Sequence, residues 1–371
     1  MDKNIIKTNR LSIVLPTFRE KENIFLIIEE LIDLANSYEL EILIVDDDSK
    51  DGTFELVKSI SFQDPRIRII RRVGRSGLAS AIKEGLLNAQ GDIVALMDAD
   101  GQHLPKDLIN AVNFLNEGDY DLVIGSRFLK SANIRGLSQR RTGGSSFANL
   151  LARTSLPKNY QHITDYMSGC FVVKVEPCLP IIYKVDVNGF KFLYEFLSIS
   201  RGCFCVGEVP LSFQPRLHGK SKLEVSIVWD FLISLLHTLT CRILPRRAIS
   251  FGIVGLSGVG VQLITTNIAM NLFSLGFSSS LPISVIIAAT SNYLINNILT
   301  FRSRRLSGIP LLKGLFKFLI VASFPVIANI GLATAFYNTI SNNTVLAQIA
   351  GISIVFIWNY VASSRFVWNS P

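Results

Sequence analysis

The chain has 371 residues, of which 49% are hydrophobic and 18% charged, and its formal net charge at pH 7 is +8. The charge is unevenly distributed, since no Asp or Glu follows Asp230 and only six of the 37 basic residues lie after Ala248. This distribution is typical of a nearly neutral soluble domain followed by membrane segments, and it argues against nucleic acid as a partner.

Short apolar runs alternate with amphipathic segments in the first part of the chain. The runs predict strands at Leu11–Leu15, Glu41–Val45, Ile67–Ile70, Ile93–Met97 and Leu122–Ile124. Apolar residues at helical spacing predict helices at Glu20–Ala35, from about Thr53, at Leu78–Ala89 and at Leu108–Leu115. Strands that alternate with helices imply a mainly parallel sheet with right-handed crossovers.

Clusters that contain polar residues follow four of these strands, at Pro16, Asp47, Asp98 and Arg127. Ligands of parallel sheets bind beyond the carboxyl ends of the strands, so we expect these residues to line one crevice. Neither a Gly-x-Gly-x-x-Gly after the first strand nor a Walker-type phosphate loop is present, which argues against a dinucleotide oxidoreductase. A nucleotide would therefore be held through its diphosphate on a metal.

Asp98 and Asp100 follow the apolar run Ile93–Met97 directly. Side chains two apart on an extended segment share a face, so both carboxylates and the amide oxygen of Gln102 are expected to reach one cation. Three oxygen donors with open positions suit Mg²⁺ or Mn²⁺. An isolated Asp-x-Asp is more commonly a solvated turn. We expect His103 to be a structural residue beside the site, with an added metal ligand as the alternative.

Six motifs, in chain order, resemble glycosyltransferase family two, and most closely its dolichyl-phosphate mannose synthase branch. They are Leu15-Pro16-Thr17-Phe18-x-Glu20, Val45-Asp46-Asp47-Asp48-Ser49, Met97-Asp98-Ala99-Asp100-Gly101-Gln102-His103, Gly125-Ser126-Arg127, Ser168-Gly169-Cys170-Phe171 and Gly189-Phe190-Lys191. The resemblance implies an α/β GT-A catalytic domain, Rossmann-like with a mainly parallel sheet, over residues 1–225. It also implies a sugar nucleotide donor, a polyprenyl or dolichyl phosphate acceptor, and Mg²⁺ or Mn²⁺ as cofactor.

The same resemblance assigns roles by position in the motifs. It gives the nucleoside to Pro16, Phe18, Glu20, Val45 and Asp47, and the metal and diphosphate to Asp98, Ala99, Asp100 and Gln102. It gives the acceptor phosphate to Arg127, Arg141 and Ser145, and it makes Arg216 and Lys222 close over the phosphates of the nucleotide. Asp98, Asp100 and Arg127 would be the catalytic residues. Phe18 and Arg19 stand where the family usually has Tyr and Asn, and a solvated basic face is the alternative reading of Arg141, Arg216 and Lys222.

The last third of the chain predicts association with a lipid bilayer. Residues 226–247 mix apolar and Arg side chains, which favours amphipathic interfacial helices, with a helix packed on the soluble domain as the alternative. Residues 248–371 resemble GtrA-like membrane domains, and their four apolar stretches are each near the ~20 residues of a transmembrane helix. The basic residues lie before the first apolar stretch, in the loop between the second and third, and at the end of the fourth. The positive-inside rule therefore places the catalytic domain and the C-terminus in the cytoplasm.

This membrane part also repeats internally. Phe251 aligns with Phe318, Asn292-Tyr293 with Asn359-Tyr360, and Phe301 with Trp368, all at an offset of 67 residues. A constant offset of this kind predicts two hairpins of duplicated origin.

These observations predict a membrane-bound inverting glycosyltransferase that moves mannose from GDP-mannose to dolichyl or another polyprenyl phosphate on the cytoplasmic face. Two alternatives stay open. In the first, the enzyme uses UDP-glucose or another sugar nucleotide as the donor. In the second, the chain is a lipid-sugar translocation protein whose soluble domain binds its ligand without catalysing transfer.

Overall fold

The computed structural model describes residues 10–75, 77–134, 139–187, 191–215, 225–323 and 344–369. The chain divides into two compact units, Met1–Thr238 and Leu239–Pro371. The finer three-part division at residues 225/226 and 247/248 stays a prediction.

The first unit contains a seven-stranded sheet. Its strands are β1 (Arg10–Thr17), β2 (Glu39–Asp46), β3 (Ile67–Arg71), β4 (Ile93–Leu96), β5 (Leu122–Ser126), β7 (Phe171–Lys174) and β8 (Val206–Pro210), in the order β3-β2-β1-β4-β7-β5-β8. Two further strands, β6 (Asn133–Ile134) and β9 (Ser212–Phe213), form a separate pair.

Helices connect the strands of this unit. They are α1 (Lys21–Leu34), α2 (Thr53–Gln63), α3 (Leu78–Asn88), α4 (Pro105–Glu117), α5 (Gln139–Ser155), α6 (Val175–Lys184), α7 (Phe192–Ser200) and α8 (Val225–Leu239). The predicted α/β class with a mainly parallel sheet is confirmed.

β7 is the exception to the parallel arrangement. It lies between β4 and β5 and runs antiparallel to both, whereas the other pairs in the seven-stranded sheet are parallel. An antiparallel strand presents its amino end where its parallel neighbours present their carboxyl ends. The chain that enters β7 therefore arrives at the edge where the predicted site lies.

The sheet is buried on both faces, which explains the continuous apolar runs in its strands. In β1, Leu11, Ile13 and Leu15 pack into one hydrophobic cluster while Val14 packs into the other, and all four are inaccessible to solvent. The two-sided core leaves only the strand ends and their loops for polar function.

Helix α8 packs on the first unit through one side. The Phe231 ring meets Tyr194 at 5.9 Å between ring centroids, and the Ser198 and Thr238 hydroxyls are 3.0 Å apart. Its other side exposes Val228 and Leu232. The packed side agrees with the alternative reading of this segment, while its residence in a bilayer interface stays a prediction.

The second unit is helical in all of its described residues except short connections. Its helices are α9 (Arg246–Asn271), α10 (Phe277–Ile298), α11 (residues 309–323) and α12 (Thr344–Phe366). Among the described helices, α9 is the one that is both long and apolar enough to cross a membrane. The third predicted span runs past residue 323 and so lies partly outside the described residues, and the count of four spans stays a prediction.

Two ring contacts in this unit agree with the predicted internal repeat, which stays a prediction. Tyr293 packs against Phe318 with ring centroids 5.6 Å apart, and Tyr360 packs against Phe251 at 5.7 Å. Each contact joins the second helix of one repeat to the first helix of the other. Two copies of one hairpin related by a pseudo-twofold axis would produce this exchange.

A stacked aromatic pair joins equivalent positions of the two repeats. Phe301 and Trp368, which hold the same place in the two repeats, stack with centroids 4.1 Å apart. The buried Asn297 amide accepts from Trp368 Nε1 at 3.1 Å and from Leu306 N at 2.8 Å, and it donates to Leu306 O at 3.0 Å. One satisfied amide thus connects α10, the following loop and the end of α12.

Replacement of Gly85 by Ala should destabilise the first unit by about 1–3 kcal/mol, because the new methyl would lie 2.3 Å from Val14 Cγ1 in a filled core. Thermal unfolding in detergent measures this as a lower melting temperature. Gly144→Ala is the control, since Gly144 is exposed on α5 with no other atom within 4 Å of the added Cβ. That change should raise stability by up to about 1 kcal/mol, and equal effects of the two substitutions would contradict the packing argument.

Candidate active site

The loops after β1 and β2 form one hydrogen-bonded unit at the carboxyl edge of the sheet. Arg19 N donates to Ser49 Oγ at 2.8 Å, and Glu20 N donates to Thr53 Oγ1 at 3.1 Å. Asp46, which is fully buried, accepts from Ser49 N at 2.8 Å and from its hydroxyl at 2.6 Å. This network fixes both loops beside each other.

The predicted nucleoside residues lie on this unit. Pro16 and Val45 are paired in the β1–β2 register and both are buried. Phe18 is 49% exposed, with the Arg19 guanidinium 5.1 Å from its ring centroid, and Glu20 is half-buried. The structure therefore brings these residues together next to Asp47.

Asp47 is held from two directions. Gly77 N donates to Oδ2 at 2.7 Å, and Arg72 donates to Oδ1. Burial raises the pKa of Asp47, and the Gly77 and Arg72 contacts oppose that shift. Arg72 is itself buried and also pairs with Glu84 at 3.1 Å. Sequence reasoning missed Arg72, because it follows β3 outside any recognisable motif.

The Asp-x-Asp segment is not extended through Gln102, so the predicted reason for its shared face is wrong. β4 ends at Leu96, residues 99–102 bend, and Gly101 has a φ of +76°. The bend lets Gln102 N donate to Asp100 Oδ1 at 3.1 Å. Gln102 Nε2 donates to Gln214 O at 3.3 Å, so a turn and a side-chain contact, not strand alternation, orient the amide.

Asp98 lies against the backbone that enters β7. A Cβ on Gly169 would stand 2.3 Å from Asp98 Oδ2, so only glycine allows the carboxylate its present position. His103 Nε2 lies 3.8 Å from the same oxygen. The carboxylate is therefore flanked by a backbone on one side and an imidazole on the other.

His103 is a neutral, buried residue next to the site. It is 4% exposed, its ring meets Phe213 edge-on at 5.5 Å, and its Nδ1 finds no hydrogen-bond partner among the described residues. Burial lowers the pKa of His103 to about 4, with the charge of Asp100 opposing and that of Arg127 reinforcing the shift. The expectation that it is structural agrees with this environment.

Arg127 is paired with a buried carboxylate that sequence reasoning missed. Its Nε donates to Asp165 Oδ2 at 2.7 Å and its Nη2 to Oδ1 at 2.9 Å. Asp165 is fully buried, and the Arg127 side chain is 13% exposed. Burial alone would lower the pKa of Arg127, but its hydrogen bonds with Asp165 raise it, so the guanidinium stays charged.

Lys191 is a second cation near the acidic residues. It is half-buried directly before α7, at the end of the Gly-Phe-Lys motif that carried part of the resemblance but gave Lys191 no role. Burial lowers the pKa of Lys191, and the negative charge of Asp98 is the largest opposing influence. Its motif was the signal from which a role could have been inferred.

The other predicted acceptor and phosphate residues are described only in part. Ser145 is half-buried on α5, and Arg141 lies one turn earlier on the same helix, with its side chain outside the described residues. Arg216 and Lys222 also lie outside the described residues. The described part thus brings Asp98, Ala99, Asp100, Gln102 and Arg127 to one edge.

The donor set at this edge fits a hard cation. No three His, Cys, Asp or Glu side chains cluster as a metal site within the described ranges, so the set consists of the Asp98 and Asp100 carboxylates and the Gln102 amide. The amide nitrogen donates to a backbone carbonyl, so the amide oxygen is the end of Gln102 that could bind a cation. All-oxygen donors of this kind suit Mg²⁺ or Mn²⁺.

Comparison with known proteins identifies the family of the chain. Residues 12–179 match the family described as Glycosyl transferase family 2, and residues 250–368 match the GtrA/DPMS transmembrane domain. A dolichol-phosphate mannosyltransferase from Pyrococcus furiosus is 30% identical over 363 residues, which cover 97% of this chain and 99% of that protein. The chain belongs to glycosyltransferase family 2. Since its second unit matches a transmembrane domain, this glycosyltransferase is a membrane protein.

Further relatives cover the catalytic part of this family 2 glycosyltransferase. A dolichol-phosphate mannosyltransferase from Mycosarcoma maydis is 31% identical over 240 residues, which cover 62% of this chain and 78% of that protein. Among solved structures, glucosyl-3-phosphoglycerate synthase from Mycobacterium tuberculosis is 18% identical with a TM-score of 0.46, over 62% of this chain and 80% of that one.

Replacement of Gly169 by Ala should lower glycosyl transfer by roughly 10- to 100-fold, since the added methyl takes the space of Asp98 Oδ2. The melting temperature should change less than the rate, because the displaced atom ends a side chain that is 27% exposed. Transfer rate and thermal unfolding are measured on the same preparation.

Gly118→Ala is the matched control for this change. Its Cβ would lie 2.4 Å from Tyr120 Cε2 at the end of α4, which lies at the opposite edge of the sheet. This variant should lose stability and keep its turnover. A Gly169→Ala enzyme with the wild-type rate would contradict the close approach of Gly169 to a working carboxylate.

Proposed function

We propose that the protein transfers mannose, with inversion, from GDP-mannose to dolichyl or another polyprenyl phosphate on the cytoplasmic face of the membrane. The observation that carries this proposal is the end-to-end likeness to the Pyrococcus furiosus protein, whose name gives both the sugar and the lipid phosphate. The match spans the catalytic and the membrane parts together, which supports a lipid acceptor over a soluble one.

The reaction asks little of an acid–base catalyst. The nucleophile is a phosphate oxygen that is already ionised at neutral pH, so no strong general base is needed. A neutral, buried His103 is consistent with this chemistry. The larger tasks are to bring two anions together and to neutralise the charge that develops on the leaving diphosphate.

Cationic and metal-binding residues divide these tasks. We assign Asp98, Asp100 and Gln102 as ligands of Mg²⁺ or Mn²⁺, with Ala99 against the diphosphate. When bound, the cation neutralises the leaving diphosphate. Arg127 would face the acceptor phosphate, and the charge of Lys191 next to Asp98 would lower the repulsion between the two phosphate groups.

The remaining assignments follow the resemblance. Pro16, Phe18, Glu20, Val45 and Asp47 would hold the nucleoside, with Arg72 and Gly77 orienting the Asp47 carboxylate. Arg141 and Ser145 would join Arg127 at the acceptor phosphate, and Arg216 and Lys222 would close over the nucleotide. The exposed basic residues of the 302–305 loop favour a cytoplasmic position for that end of the membrane unit.

A donor panel tests the proposal directly. The purified full chain, a short-chain polyprenyl phosphate and Mn²⁺ are incubated with each sugar nucleotide, and the lipid product is identified by mass spectrometry. We expect a mannosyl lipid from GDP-mannose. Transfer from UDP-glucose alone would replace the proposed donor, and saturable lipid binding with no transfer from any donor would favour the translocation alternative.

The metal assignment predicts that Asp98→Asn and Asp100→Asn each lower transfer by at least roughly 100-fold. GDP with Mn²⁺ should raise the melting temperature of the wild type by mass action and should not raise that of the variants. Asp92→Asn is the control, because Asp92 is an exposed carboxylate just before β4 at the opposite edge of the sheet. Undiminished Mn²⁺-dependent stabilisation in both variants would rule out these ligands.

A further inference from the structure

We propose that Asp165 is a positioning residue for Arg127, which it holds by the Nε–Nη2 edge so that the Nη1 edge is presented to a phosphate group. The inference rests on the proposed function, in which Arg127 faces the acceptor phosphate. The Nε–Nη2 edge of the guanidinium is then used within the protein, and the Nη1 side is left for the phosphate.

The geometry of the pair supports this division of the guanidinium. Nε and Nη2 of Arg127 donate to the two oxygens of Asp165 at 2.7 and 2.9 Å, and Arg127 N donates to Oδ2 at 3.2 Å. Such a fork-to-fork arrangement fixes the plane of the guanidinium as well as its position. Nη1 makes no hydrogen bond to any residue in the described ranges.

Aromatic rings limit the remaining motion of Arg127. Its guanidinium carbon lies 5.6 Å from the centroid of Phe213 and 5.6 Å from that of Phe128. A side chain that is both paired and flanked by two rings cannot swing its Nε edge towards a ligand without breaking the pair with Asp165. The orientation is therefore set before any anion binds.

Asp165 is itself fixed by the ends of two strands. Glu208, on β8, accepts from Thr164 N at 3.0 Å and from Asp165 N at 3.1 Å. The Thr164 hydroxyl lies 2.5 Å from the Ser126 hydroxyl at the end of β5. These contacts connect the residue that holds Arg127 to the sheet edge from which Arg127 projects.

This arrangement has a catalytic consequence. A guanidinium that is oriented before the acceptor binds holds the acceptor phosphate in the attacking position without reorganisation, and that positioning is realised in the rate. A lysine at position 127 has a single ammonium group, which can serve either Asp165 or a phosphate well, but not both in this geometry. Loss of the carboxylate should therefore act through Arg127 and not through the fold.

The test uses Asp165→Asn in the full chain, which preserves volume and removes the negative charge. We expect kcat to fall roughly 10- to 100-fold and the KM for polyprenyl phosphate to rise, with an unchanged KM for the sugar nucleotide. The double variant Asp165→Asn with Arg127→Ala should be no slower than Arg127→Ala alone, because residues that act as one unit are not additive.

Asp46→Asn is the matched control, since Asp46 is also a fully buried carboxylate but organises the loop on the nucleoside side. Its effect should appear in the KM of the sugar nucleotide and should add to that of Arg127→Ala. If the losses of Asp165→Asn and Arg127→Ala add in the same way, Asp165 is only structural and the proposal is overturned.

Two further measurements separate this inference from the proposed function. Binding of a short-chain polyprenyl phosphate to the full chain in detergent is measured by calorimetry, and Asp165→Asn should weaken it as much as Arg127→Ala does. That comparison holds even if no donor gives transfer, in which case the proposed function fails alone. Wild-type binding and turnover by Asp165→Asn would remove the positioning role and leave the proposed function intact.

Should Asp165→Asn fail to fold, Asp165→Glu replaces it. The longer side chain keeps the charge and displaces the guanidinium by about one bond length, so transfer should still fall at least roughly 10-fold with the fold retained. A folded Asp165→Glu enzyme with the wild-type rate would overturn the proposal.

Discussion

The reversal of β7 between β4 and β5 is the constraint on which the active edge depends. A parallel strand in that place would send its entering chain to the far side of the sheet. Because β7 is antiparallel, the chain enters it across the crevice and is tied to β5 by the hydrogen bond from Gly125 N to Cys170 O, at 2.9 Å. This entry places Gly169 against Asp98 and brings Asp165 within reach of Arg127.

The charges gathered by this arrangement explain why the edge suits a metal and phosphates together. Three carboxylates, those of Asp98, Asp100 and Asp165, face the two cations Arg127 and Lys191, while burial keeps His103 neutral. On the proposed assignment, the acidic excess favours binding of a divalent cation. With that cation bound, the net charge of this edge becomes positive and attracts phosphate groups. The same side chains therefore suit the cation first and the phosphates after it.

Much of the fold could be predicted from sequence because burial on both faces leaves uninterrupted apolar runs. The runs at Leu11–Leu15 and Ile67–Ile70 lie within β1 and β3, and the strand ends lie within two residues of the predicted ones. β7 was missed because four residues between long helical segments give no alternation, and no pattern within a strand reveals its direction. Gln102 was misjudged because a positive φ at Gly101 turns the chain where strand parity was assumed.

The sequence also failed to predict which residues orient the side chains of the candidate site. The motifs pointed to the residues that we propose as ligand contacts, whereas Asp165 and Arg72 would act by orienting two of those residues, Arg127 and Asp47. Asp165 is 38 residues from Arg127 in the chain, and Arg72 is 25 residues from Asp47. No local pattern signals such contacts, since they arise from the meeting of strand ends. Lys191 is the intermediate case, because its motif was visible although its charge environment was not.

The stacked pair Phe301 and Trp368 has a consequence for how the membrane unit diverged. In a symmetric dimer of two identical hairpins, equivalent residues contact each other only at the twofold axis. The two residues of such a stack would then be encoded by one position, so any mutation would change both rings. Joining the hairpins in one chain lets each side change alone. Here one side is Phe and the other Trp, and Asn297, which binds the Trp368 indole, corresponds to Ser364, whose hydroxyl donates to Tyr360 O in its own helix. On the predicted duplicated origin, the fused hairpins became distinct halves without losing the contact that joins them.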